Sequence, residues 1–132
     1  MRSNYFFILF AFLLFTNVYA ENLFIQSKNI TIDKKKEISI FENEVLVRTE
    51  ENNEIISDYA EYDKKQSFIK FKNNIVVTDS KNNKIEANFA EYNDITKIFK
   101  TYGPTKLVTS EKYIILGEDI KLNNKSNIIN SD

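Results

Sequence analysis

One stretch of this chain is written twice, thirty residues apart. Ile55-Ile56-Ser57-Asp58-Tyr59-Ala60-Glu61-Tyr62-Asp63 returns as Ile85-Glu86-Ala87-Asn88-Phe89-Ala90-Glu91-Tyr92-Asn93. The same offset finds two fainter copies. Ile25-Gln26-Ser27 leads to Ile30, Ile32 and Asp33, and Ile115-Leu116-Gly117 leads to Ile120, Leu122 and Asn123. A fixed period of this size marks similar units stacked on one another, because a single unit cannot bury its apolar face alone. Diverged outer copies are what terminal repeats commonly show.

Each unit reads as strand. Short β-branched runs (Ile38–Phe41, Val45–Thr49, Phe68–Phe71, Ile75–Thr78, Ile98–Tyr102, Lys106–Thr109) alternate with polar turns such as Glu51-Asn52-Asn53 and Lys81-Asn82-Asn83-Lys84. That spacing predicts an antiparallel all-β fold, with Asn supplying the left-handed conformations of tight turns. Leu23–Asp33 and Tyr113–Leu122 are expected as the first and fourth long strands, and Ile128-Ile129 as the last short one. Parity adds a constraint. Ile55 and Ser57, or Ile85 and Ala87, share a strand face, whereas Ala60 and Tyr62, or Ala90 and Tyr92, have the opposite parity. A period of two cannot turn all of them inward, so a bulge or bend must reset the phase between the small residue and the alanine. A strand bent there serves two facing sheets, giving a stacked, open sandwich. Its interior is expected to hold Val45, Val47, Ile55, Ile69, Phe71, Ile75, Val77, Ile85 and Leu107. Read from the residues alone, that interior is a dry core worth about 1.5–3 kcal/mol per buried side chain.

The first twenty residues stand apart. Arg2 precedes an unbroken apolar run, Tyr5 to Phe15, and Val18-Tyr19-Ala20 places small residues where a leader peptidase cuts. Residues 1–20 are therefore expected to be a signal peptide, and 21–132 one exported domain; an uncleaved membrane anchor is the competing reading. The chain has 132 residues, 18 basic and 19 acidic, so no basic face points to nucleic acid. It contains no cysteine and no histidine, which removes the commonest nucleophiles, bases and transition-metal ligands. No catalytic residue, metal site or cofactor is expected. Asp58, Glu61, Asp63, Glu86 and Glu91 read as solvated strand and turn positions rather than a carboxylate pair, and Lys34-Lys35-Lys36 and Lys64-Lys65 as solvated turns. Tyr62 and Tyr92 read as sheet-edge aromatics with wet hydroxyls.

The unit small-x-x-Ala-x-Tyr-Asp/Asn, met at Ser57, Ala60, Tyr62 and Asp63 and again at Ala87, Ala90, Tyr92 and Asn93, resembles the organic-solvent-tolerance (OstA-like) family. So do the opening strands Glu44-Val45-Leu46-Val47 and Asn74-Ile75-Val76-Val77. That family includes the lipopolysaccharide-transport protein LptA, its membrane-anchored relative LptC, and the periplasmic domain preceding the LptD barrel. The resemblance spans Glu21–Asp132 and departs where Asn43 and Asn73 replace a glycine that only Gly103 retains. It implies an OstA-like β-jellyroll, open and V-shaped, located in the periplasm and associated with the outer membrane. It implies that the nine interior residues line a groove for lipopolysaccharide acyl chains. It also implies β-augmentation with other OstA-like jellyrolls, or with copies of itself, through edges carrying Leu23, Ile25, Ile30, Ile128 and Ile129. Two alternatives stay open: a structural β-repeat module without lipid, and an LptC-like membrane-anchored subunit.

Overall fold

The computed structural model describes residues 23–126 and 128–131; the expected leader and its cleavage point lie outside them. Eleven strands follow one another: β1 (Phe24–Gln26), β2 (Asn29–Asp33), β3 (Ile38–Arg48), β4 (Glu54–Asp63), β5 (Phe68–Thr78), β6 (Lys84–Asn93), β7 (Ile98–Tyr102), β8 (Pro104–Val108), β9 (Ile114–Glu118), β10 (Ile120–Asn123) and β11 (Ile128–Ser131). All pair antiparallel in one unclosed sheet. The all-β fold expected from the repeat, in the jellyroll form that the resemblance implies, is the fold the chain adopts.

The bend lies where parity required it. Register shifts fall between Glu42 and Val45, between Ile56 and Tyr59, and between Lys72 and Ile75. Ser57 and Ala60 straddle one shift and both are buried, as are Ala87 and Ala90. The extra residues take left-handed backbone: Asn43 and Glu44 (φ 65° and 52°), Asn73 and Asn74 (φ 66° and 52°). Gly103 occupies the corresponding slot at φ 79°. Asn is the non-glycine residue that best tolerates this region, so the missing family glycines are replaced in kind.

Four strand boundaries differ from expectation. Asn43 and Asn73 do not separate strands; they are bulges inside the continuous β3 and β5. Leu23–Asp33 divides into β1 and β2, which pair with opposite halves of β3, and Leu23 itself precedes β1. Tyr113–Leu122 divides at Asp119 (φ 53°) into β9, paired with β8, and β10, paired with β7 and β11. The cause is common to both ends: a terminal strand that meets a neighbour on one side only is free to part at the corner.

Each bent strand thus belongs to two half-sheets. The first runs β1, β3, β4, β5, β6, β8, β9, and the second β2, β3, β4, β5, β6, β7, β10, β11. They meet at the bulges and end in two lips of turns. In the first lip (49–53, 79–83, 109–113) one hydrogen-bond scheme recurs, Thr49 N–H to Asn53 O, Asp79 N–H to Asn83 O and Thr109 N–H to Tyr113 O. In the second lip Asp33, Asp63, Asn93 and Asn123 each accept backbone N–H groups two or three residues ahead. This explains the last residue of the repeat motif: a short carboxylate or amide that closes an Asx-type turn.

Candidate functional site

Directly paired residues on antiparallel strands point to the same face, so the pairings define rows along the interior. In the first half-sheet one row reads Ile25, Val47, Ile55, Val77, Ile85, Leu107, Ile115. In the second, one reads Ile32, Ser39, Tyr62, Ile69, Tyr92, Phe99, Leu122, Ile129. All nine expected interior residues belong to a single apolar cluster with Phe41, Ala60, Ala90, Tyr92, Phe99, Ile120 and Leu122. Phe71 and Phe99 meet as tilted rings with centroids 6.4 Å apart. The cluster is closed: Val77 is 1% exposed and Leu107 7%. In this conformation the interior is filled, so acyl chains could occupy it only if the half-sheets moved apart.

The rows are covered unevenly. In the second half-sheet the row opens toward the amino-terminal end, where Ile32 is 62% exposed. In the first it opens toward the carboxy-terminal end, where Ile115 is 48% exposed. Opposite half-sheets therefore overhang at opposite ends. Twist is the physical source. The β3–β4 turn of the first lip lies against the β6–β7 turn of the second, because Lys97 Nζ approaches Glu50 and Glu51 carboxylates at 3.9 Å each. The β5–β6 turn likewise lies against β10 and β11 across a polar cleft of about 110 Å³ lined by Asp79, Asn83, Leu122, Asn124 and Ile129. Both contacts join positions three strands apart in sheet order, although the half-sheets share strands at the bulges.

Expected edge residues divide accordingly. Ile25 lies on β1 and Ile129 on β11; with Leu23 they pack partly buried against the core, while Ile30 and Ile128 are exposed. β9 lies inside the expected strand Tyr113–Leu122 but not among the expected edges. Among the described residues it pairs only with β8, and with the preceding Tyr113 it exposes Ile114, Ile115 and Leu116, the last by 77%. A signal existed: four consecutive apolar residues in the final unit, where Ile85 is covered by the unit that follows.

The mouth between the lips is polar. Lys97, with a side chain only 14% exposed, also pairs with Asp94 at 2.8 Å. Burial alone would lower its pKa, but Asp94, Glu51 and Glu50 outweigh that and raise it. Tyr92 is fully buried and its hydroxyl reaches Glu51 at 3.5 Å, so the expectation of a wet hydroxyl fails. Burial, then the charges of Glu51 and Asp94, push its pKa well above the ordinary tyrosine value. The expected solvated carboxylates have separate partners: Asp58 accepts from Asn74 (2.7 Å), Glu91 from Tyr102 (2.7 Å), and Glu86 pairs with Lys106 (3.7 Å). Lys34-Lys35-Lys36 and Lys64-Lys65 are exposed on the second lip.

An unclosed antiparallel jellyroll of this kind is an LptA-like β-jellyroll. A solved structure of LptH from Pseudomonas aeruginosa, described as the LptA-homologous periplasmic component of its lipopolysaccharide transport device, has this fold. Its TM-score is 0.72 at 13% identity, covering 85% of this chain and 82% of that one. No curated protein matched the chain by sequence. The family model described as "Lipopolysaccharide-assembly, LptC-related" matches residues 3–130. The chain belongs to the LptC-related family of lipopolysaccharide assembly.

Proposed function

We propose that this chain is a non-enzymatic periplasmic carrier that holds lipopolysaccharide acyl chains between its half-sheets and joins neighbouring jellyrolls edge to edge. The observation that carries the reading is the pair of rows, apolar from end to end but for Ser39 and uncovered at opposite ends of opposite half-sheets. A neighbouring jellyroll added at β9 would continue the row from Ile115 into its equivalent of Ile25. At β11 the row would run from Ile129 into the equivalent of Ile32. The unpaired N–H and C=O groups of an edge strand make such addition favourable. Leu23, Ile25, Ile30, Ile128 and Ile129 then serve as contact residues, joined by Ile114–Leu116 of β9.

Two competing readings each have an observation in their favour. A lipid-free structural module is favoured by the filled interior. An LptC-like anchored subunit is favoured by the family match, which begins at residue 3 and so takes in the apolar run Tyr5–Phe15. Cleavage after Ala20 would release the domain and retention would anchor it, so the mass of the mature amino terminus separates these two. The carrier reading is tested by a small diazirine-bearing aliphatic residue at Val77, chosen because a bulky probe would overpack a full site. Lipopolysaccharide adducts at Val77 and none at exposed Lys81 are expected. Absence of adducts at Val77, Val47 and Ile85 in folded, exported protein would remove lipid carriage and leave the structural module.

A further inference from the structure

Among the described residues, Lys97 and Tyr92 reach across the mouth, and both meet one turn of the first lip. Lys97 Nζ approaches Glu50 Oε2 and Glu51 Oε1 at 3.9 Å each, and Tyr92 Oη donates to Glu51 Oε2 at 3.5 Å. These distances are long for charge-assisted contacts. Within a lip, by contrast, adjacent turns are tied by shorter backbone bonds, Asn124 N–H to Lys97 O at 3.0 Å and Asp94 N–H to Ser67 O at 2.8 Å. Opposite the mouth the half-sheets share continuous strands through the bulges. Among the described residues no strand pairing joins lip to lip. Hinge stiffness and mouth weakness therefore sit on opposite sides of the same cross-section.

We propose that Lys97, Glu50, Glu51 and Tyr92 form a latch, and that lipid is admitted sideways between the lips when this latch parts. The inference rests on the carrier reading and adds its route and its control residues. Behind the latch, Phe99 and Leu122 of one row share a single buried apolar cluster with Val47, Ile55 and Val77 of the other. An acyl chain wedging between the lips would meet apolar surface once the ion pairs separated. Lys97 keeps its 2.8 Å partner Asp94 on the same lip, so opening costs it the two long contacts and leaves it no unpaired charge. Glu50 and Glu51 swing away on a turn that solvent can reach: the Glu50 side chain is already 57% exposed. Such an arrangement opens reversibly, whereas a buried pair with no second partner would not.

The chain contains no cysteine, so a double variant E50C/T96C presents only two thiols, one per lip, and leaves Lys97, Glu51 and Tyr92 intact. A flexible bismaleimide can join them, since side chains that meet through a lysine stand too far apart for a disulfide. The probe is lipopolysaccharide with a solvatochromic fluorophore on one acyl chain, and the readout is the rate of its fluorescence rise. The linked protein is expected to load at least about tenfold more slowly than the unlinked double variant, and K97Q about tenfold faster than wild type, where tenfold corresponds to about 1.4 kcal/mol. Equal loading by linked and unlinked protein would overturn the latch and assign loading to the uncovered ends, with lipid carriage intact. Failure of wild type, K97Q and unlinked protein alike to take up the probe would instead defeat the carrier reading, and the latch with it. Should K97Q misfold, the linked and unlinked comparison decides alone.

Discussion

The corner where the last unit divides is held by two threonines, and replacing one of them should cost far more than replacing the other. Thr101 and Thr105 are both buried, with their Oγ1 atoms 2.7 Å apart. Thr101 Oγ1 accepts the Ile120 backbone N–H at 2.9 Å and lies 3.3 Å from the Ile120 carbonyl. It thereby takes the place of a strand partner just where β9 gives way to β10. Thr105 donates to Gly103 O at 3.0 Å and satisfies no buried backbone donor. Thr101→Val preserves shape but strands the Ile120 N–H in a buried position, a loss of roughly 1–3 kcal/mol. Burying a methyl in place of a hydroxyl returns up to about 0.8 kcal/mol. The net expectation is about 1–2 kcal/mol for Thr101→Val. Thr105→Val should cost less than half of that, because Thr101 can turn its proton to the Ile120 carbonyl. With a urea m-value of about 1–3 kcal/mol/M, the Thr101→Val midpoint should fall by roughly 0.5–1.5 M at unchanged slope. Urea melts followed by far-UV circular dichroism measure both variants directly. A Thr105→Val cost equal to or above that of Thr101→Val would refute the assignment of Thr101 as the stand-in acceptor.

Three further outcomes follow from other parts of the fold. Asn73→Gly should leave stability within about 0.5 kcal/mol of wild type, whereas Asn73→Val, forced to hold φ 66°, should lose roughly 1–2 kcal/mol in the same melts. Tyr102, whose hydroxyl donates to Glu91 at 2.7 Å, has its pKa pushed up to about 12, first by that bond and then by burial. The raised folded value means that the associated stability is complete below the unfolded tyrosine pKa near 10 and is lost as pH rises from there toward 12. Glu91→Gln should move the Tyr102 transition back toward 10 in an ultraviolet titration; an unmoved transition would remove Glu91 as the cause. Leu116→Pro on β9, where the N–H faces away from β8, takes away an edge N–H and adds a ring where a neighbour's strand would lie. It should abolish concentration-dependent assembly in sedimentation runs while leaving the monomer folded, and unchanged assembly would exclude β9 as the joining edge.

The repeat made the local structure legible and left the lateral placement of the half-sheets unread. Parity at Ser57 and Ala60 demanded a bulge or bend, and the Asp or Asn closing each motif announced a turn; the extra residues that make the bend stand on the neighbouring strands β3 and β5, which parity within β4 could not name. Nothing within a unit states how far one half-sheet slides across the other. Lys97 and Glu51 belong to different units, and their meeting depends on the twist accumulated between the bulges and the lips, about three strands of offset in sheet order. That single offset has two consequences. In the middle of the molecule it brings the β3–β4 turn over the β6–β7 turn, where an acidic pair meets a lysine and the mouth shuts. At the ends it leaves turns that face no other turn among the described residues: the lysine-bearing turns 34–37 and 64–67 of the second lip, and turn 109–113 with β9 of the first. Closure of the groove and exposure of the joining edges are thus one geometric fact. A smaller twist would cover Ile32 and Ile115 but separate Lys97 from Glu51. An exposed joining edge and a latched mouth are therefore expected to vary together in variants of the bulge residues Asn43 and Asn73, which set the angle of the bend.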